Sequence, residues 1–86
     1  MQMSKPRKTP PGNKNIVGAK VAKLRKEKNI KQKDLVAMLQ IRGMDICDTS
    51  MSRLEGQTRL VQDFEVLILA ETLGVTTQWL LSKEDE

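Results

Sequence analysis

The chain has 86 residues, a formal net charge of +4, 38% hydrophobic and 2% aromatic residues, one cysteine and no histidine. That length supports one small domain with an aliphatic core. The missing histidines and the lone Cys47 exclude a disulfide framework and a zinc site built from His or several Cys.

No constellation of acids, bases and nucleophiles stands out, so an enzyme is not expected and no cofactor or metal is implied. A single thiol suits a reducing, cytoplasmic setting, and Cys47 reads as a small buried or half-buried side chain. The longest apolar run, residues 66–70 (VLILA), is far too short to span a bilayer. No signal-peptide pattern is present, so no membrane partner is expected. The net charge hides an asymmetry. Residues 1–34 hold eleven Lys/Arg and two acids, whereas residues 35–86 hold four Lys/Arg and nine acids. A basic half joined to an acidic half points to one surface facing a polyanion and another turned away from it.

Residues 1–14 contain all three prolines and four basic residues, and read as a basic flexible arm. Such an arm suits a phosphate backbone or a minor groove, or is simply a disordered start. Residues 15–82 carry the domain. Helical periodicity begins at Asn15, and a first helix is expected over residues 15–28. Val17, Val21, Leu24 and Ala22 form its inner stripe, Asn13 or Asn15 is its cap, and Lys20, Lys23 and Lys26 lie on outer faces. "KNI" then breaks the helix, and Ile30 returns to the core. A second helix opens at Lys31–Gln32 and runs to Gln40, burying Leu35, Val36 and Leu39, with Met38 as a gap filler and Gly43 as the stop.

Ile46 and Met44 are expected inside the connection that follows. Asp48 is then the expected N-cap of a short third helix, residues 49–55, closed by Gly56. Met51 and Leu54 lie three apart and hold this helix to the domain, while Thr49, Ser50, Ser52 and Arg53 point elsewhere. A fourth helix over residues 62–73 turns Phe64, Leu67, Ile68 and residues 70–73 inward, and Gly74 ends it. Val75 enters the core, Thr76 caps a fifth helix, and Trp79 and Leu80 pack from it, with Trp79 read as an anchor rather than a base-stacking platform. Residues 83–86, KEDE, form an acidic tail.

A slim helix whose outer face carries hydroxyls and a guanidinium suits a DNA major groove about 12 Å wide. Thr49, Ser50 and Ser52 donate and accept, and Arg53 is the candidate for bidentate readout of guanine or a phosphate clamp. Gln32 stands at a helix N-terminus, where the dipole and free amides favour an anion. Arg59 is a candidate phosphate contact, and Lys31 adds sequence-independent attraction that weakens with salt.

Four stretches in order, KLRKEKNIKQKDLVAML (residues 23–39), SMSRLEG (50–56), LILAETLGV (67–75) and WLL (79–81), resemble the Cro/C1-type helix-turn-helix family of bacterial and phage repressors. The resemblance covers residues 15–82 and implies an all-α, compact five-helix, lambda-repressor-like DNA-binding domain. Its helix-turn-helix would be helices 2 and 3. It further implies that Gln32, and with it Lys33, contacts phosphate, that Gln32 braces the recognition helix, and that Arg25 and Glu55 form a structural ion pair. The function implied is a sequence-specific transcriptional regulator, repressor-like, bound as a homodimer to double-stranded DNA with a near-palindromic operator and without a small-molecule ligand. Trp79, Leu81 and Val75 are the candidate dimer patch, unless all three are buried in the monomer. The other reading of the same fold is a protein-interaction module, an antitoxin-like or anti-repressor subunit. The chain departs from the family in two places. The turn between helices 2 and 3 is lengthened by about four residues over the usual tight turn, with IRGM extending helix 2 or bulging the turn. Glycine also follows Glu55 directly, where the family usually has one residue between.

Overall fold

Five helices, α1 (Gly18–Glu27), α2 (Gln32–Ile41), α3 (Asp48–Glu55), α4 (Asp63–Leu73) and α5 (Thr77–Leu81), make up this computed structural model, which describes residues 12–82. No strand occurs among the described residues. The short α3 sits against α1 and α2, and α4 crosses α1, α2 and α5. Val21, Leu35, Leu39, Met51, Leu54 and Leu69 have no exposed surface and form the centre of one aliphatic core. An isolated eight-residue helix is unstable in water. Burial of Met51 and Leu54, about 1.5–3 kcal/mol each, holds α3 in place.

Four of the helices end in the same way. After α1, the Ile30 amide donates to the Arg25 carbonyl, the Asn29 amide donates to the Lys26 carbonyl, and Asn29 takes a left-handed φ of 58°. After α2, the Met44 amide donates to the Leu39 carbonyl, with Gly43 at φ 96°. After α3, the Thr58 amide donates to the Arg53 carbonyl, with Gln57 at φ 65°. After α4, the Val75 amide donates to the Ala70 carbonyl, with Gly74 at φ 75°. This is the Schellman arrangement, in which a left-handed residue lets the chain turn back and satisfy the last carbonyls. It explains how the lengthened connection is accommodated. α2 runs to Ile41, Gly43 reverses the chain, and Met44 and Ile46 drop into the core. Gln40 Nε2 donates to the Ile46 carbonyl at 2.8 Å and ties the turn to the helix.

Several expectations are corrected. α1 starts at Gly18 rather than Asn15, because the Asn15 Oδ1 accepts the Gly18 amide at 2.8 Å and closes a turn ahead of the helix. The N-cap of α3 is Cys47, with Asp48 already inside the first turn, and Cys47 is exposed rather than buried. The left-handed stop after α3 falls on Gln57, one residue beyond Gly56. Lys20 is buried at 7% exposure instead of lying outward: its ammonium donates to the Trp79 carbonyl (2.7 Å) and to the carbonyl and hydroxyl of Ser82 (2.9 and 2.7 Å). The same ammonium lies 4.6 Å from the centroid of the Trp79 ring, so a cation–π contact adds to the cap.

Phe64 and Leu67 face out, at 48% and 51% exposure, because α4 is apolar on more sides than the core can cover. In the expected dimer patch, Leu81 is exposed while Val75 and Trp79 are half-buried against the core. Residues 12–14, assigned to the arm, belong to the fold. The Gly12 amide donates to the Gly56 carbonyl at 3.0 Å and the Lys14 amide to the Gln57 carbonyl at 2.9 Å. The rest of the arm, residues 1–11, and the tail, residues 83–86, lie outside the described residues.

Candidate nucleic-acid interface

The first turns of α2 and α3 open onto a shared groove of ≈ 380 Å³, lined by Lys31, Gln32, Lys33, Asp48, Thr49 and Ser52. Five residues singled out in the sequence thus meet on one surface. Neither helix has a side-chain cap bond at its N-terminus, and helix starts of that kind attract anions. Lys31 and Lys33 are exposed beside the start of α2. Arg53 is exposed one position beyond Ser52, on the same helix.

An ion pair adjoins this surface through Gln32. Arg25 Nε donates to Glu55 Oε2 at 2.7 Å and its Nη2 donates to Glu55 Oε1 at 3.1 Å, with side-chain exposures of 12% and 9%. The third guanidinium nitrogen, Nη1, donates to the Ile30 carbonyl at 2.9 Å, which locks the fork against the end of α1. The hydrogen bond to Glu55, above all, holds the Arg25 pKa above its ordinary value, and burial opposes it only in part. Glu55 therefore binds α3 to α1 instead of presenting a bare carboxylate beside an anion.

Gln32 links that pair to the outer face. Its Nε2 donates to Glu55 Oε1 at 3.0 Å, and its Oε1 accepts from the Ser52 hydroxyl at 3.1 Å. Nothing in the spacing of Gln32 and Ser52 announces this contact; it exists because the turn brings the start of α2 alongside α3. The N-terminal segment braces the other end of α3. Asn15 Nδ2 donates to the Leu54 and Arg59 carbonyls at 3.2 and 2.8 Å, and Gln57 Nε2 donates back to the Asn15 carbonyl at 3.0 Å.

Two expected site residues are placed differently from the rest. Ser50 is half-buried, and its hydroxyl lies 3.3 Å from Cys47 Sγ. That contact, above all, holds the Cys47 thiol below its ordinary pKa. Arg59 pairs with Glu65 through two bonds of 3.0 and 3.1 Å and also donates to the Leu60 carbonyl. Its guanidinium is spent on the loop before α4 rather than held out to a phosphate. Burial pushes the Glu65 carboxyl up, but the Arg59 hydrogen bonds, the Gln62 amide and the Arg59 charge outweigh it and hold the carboxyl below its ordinary value.

Among the described residues no group of three or more His, Cys, Asp or Glu is placed to hold a metal ion. None of the helices described is long and apolar enough to cross a membrane. Against known families, a match covers residues 18–86 and carries the description "Helix-turn-helix domain". It takes in all five helices. No match was found among curated proteins.

Proposed function

Because the chain belongs to the helix-turn-helix domain family of DNA-binding proteins, we propose that it is a sequence-specific transcriptional regulator of the Cro/C1 type. It acts as a cytoplasmic, repressor-like protein. The observation that carries this reading is the groove shared by the starts of α2 and α3, with hydroxyls, an amide and two lysines around it and Arg53 beside it. α3 enters the major groove. Thr49, Ser52 and Arg53 meet base edges, with Arg53 suited to guanine O6 and N7. Ser50 supports the helix start through Cys47. Lys31 and Lys33 hold phosphates from the N-terminus of α2, and Gln32 fixes the orientation of α3. Arg59 has no part in DNA binding, because Glu65 holds it.

An eight-residue helix reads only a few base pairs. Two copies on half-sites about one helical turn apart give useful discrimination, hence a homodimer on a near-palindromic operator. No small-molecule ligand is needed. Binding to duplex DNA between 50 and 200 mM salt tests the reading. With two phosphate contacts per copy, from Lys31 and Lys33, and two copies, affinity falls about a hundredfold over that range. Arg53→Ala relaxes preference at one base pair by about 1–3 kcal/mol, whereas Lys31→Ala weakens all sequences alike and lowers the salt slope by about 1 per copy. The other use of the fold, an antitoxin-like or anti-repressor subunit, gives binding that neither variant changes, or no duplex binding at all.

A further inference from the structure

We propose that Ser52 is a specificity-determining residue that reads only the amino-bearing base of a pair, adenine or cytosine, because a directed hydrogen-bond chain fixes its hydroxyl as a donor inward and an acceptor outward. The inference rests on the regulator reading above and deepens it by naming what one position of the site must offer.

The direction of the chain follows from chemistry. The Glu55 carboxylate, held by Arg25, has only acceptors, so the Gln32 amide presents its NH2 to Glu55 Oε1. The amide oxygen is then the end that faces Ser52. It too can only accept, so the Ser52 hydroxyl donates to it, at 3.1 Å. A serine hydroxyl has one hydrogen and two lone pairs. With the hydrogen used inward, the exposed side of Ser52 carries lone pairs alone.

Phosphate oxygens, guanine O6 and N7 and thymine O4 have only lone pairs to offer in return, and are refused. The major-groove donors are adenine N6–H and cytosine N4–H. Each base pair has one such amino group, on one strand. Ser52 therefore discriminates by strand: A·T over T·A, and C·G over G·C. An arginine or a freely rotating serine does not produce that pattern. Asp48, one helical turn earlier and lining the same groove, also offers only acceptors as a carboxylate.

Selection of bound duplexes from a random-sequence pool, with the full chain and with Ser52→Ala, tests this. The position whose preference disappears in Ser52→Ala is the one Ser52 reads. There the parent should bind A·T and C·G about three- to tenfold more tightly than T·A and G·C, the range expected for one hydrogen bond made or lost. Gln32→Met removes the inward acceptor and frees the hydroxyl to rotate, so the preference at that position should fall below about twofold. A melting curve confirms that this variant is folded, and the Ser52→Ala arm stands without it. Preference for guanine or thymine at the Ser52-dependent position, no Ser52-dependent position, or an unchanged preference in folded Gln32→Met overturns the inference alone. A parent that selects no sequence overturns the regulator reading and this inference with it.

Discussion

Replacing Glu55 by Gln removes one charge from a nearly buried pair while keeping the shape of the side chain. In the parent, Glu55 accepts three hydrogen bonds, two from Arg25 and one from Gln32, at 9% side-chain exposure. An exposed pair contributes under about 1 kcal/mol, and a fully buried one costs about 3–5 kcal/mol to break because the remaining charge is stranded. Arg25 is 12% exposed and keeps its bond to the Ile30 carbonyl, so the stranding is incomplete and the loss should be about 2–4 kcal/mol. For a domain of this length that lowers Tm by about 10–25 °C. Circular dichroism melts read it, with urea unfolding to show that the slope m is unchanged. An Arg25→Met/Glu55→Gln cycle should give a coupling of about 2 kcal/mol, less sensitive to salt than that of an exposed pair. A Tm drop under about 3 °C for Glu55→Gln would mean that the pair adds little, and the reasoning from its burial would be wrong.

Three further outcomes are expected. Lys20→Met loses the three bonds that cap the end of α5; it should cost about 1.5–3 kcal/mol and shift the emission of Trp79, the sole tryptophan, and unchanged emission would contradict the buried cap. Gly43→Ala meets no neighbour but is forced to φ 96°, so urea unfolding should show a loss of about 1–2 kcal/mol, and a neutral result would refute the left-handed stop. Glu65 has a depressed pKa in the folded state. Its contribution is therefore complete above the ordinary carboxylate value of about 4.3 and is lost as pH falls through its lower folded value. Tm between pH 7 and pH 3 should consequently fall less steeply in Glu65→Gln than in the parent, and parallel curves would dismiss the Arg59 pairing as a source of acid sensitivity.

The parts of the fold that announce themselves in the sequence are those with a period or a fixed motif. Leu35, Val36 and Leu39 repeat at helical spacing, as do Met51 and Leu54, and all five are buried. Thr76 stands three residues before Trp79 and accepts its amide at 3.0 Å. Arg25 and Glu55, 30 positions apart, are paired only by the family resemblance, since no local pattern joins them. Lys20 reads as a surface lysine, because nothing local in the sequence signals the helix end that receives its ammonium. The outward placement of Phe64 and Leu67 is not legible, because α4 is apolar on most of its circumference and periodicity has no face to choose. Arg59 reads as a free cation in the sequence because Glu65 lies six residues away across a loop, at a spacing that signals nothing. The Gln32–Ser52 contact depends on the angle at which two helices meet, and a sequence does not carry that angle.

The strap made by residues 12–15 ties the beginning of the chain to the far end of α3. Gly12 and Gly18 lie so close to the Gln57 and Leu54 carbonyls that a side chain at either would collide with backbone. Shortening the protein into this strap, or giving either glycine a methyl group, would disturb α3 from a point some thirty to forty positions upstream. On the function proposed above, a lesion there would pass for a recognition defect in a binding assay, although it removes no side chain assigned to a base.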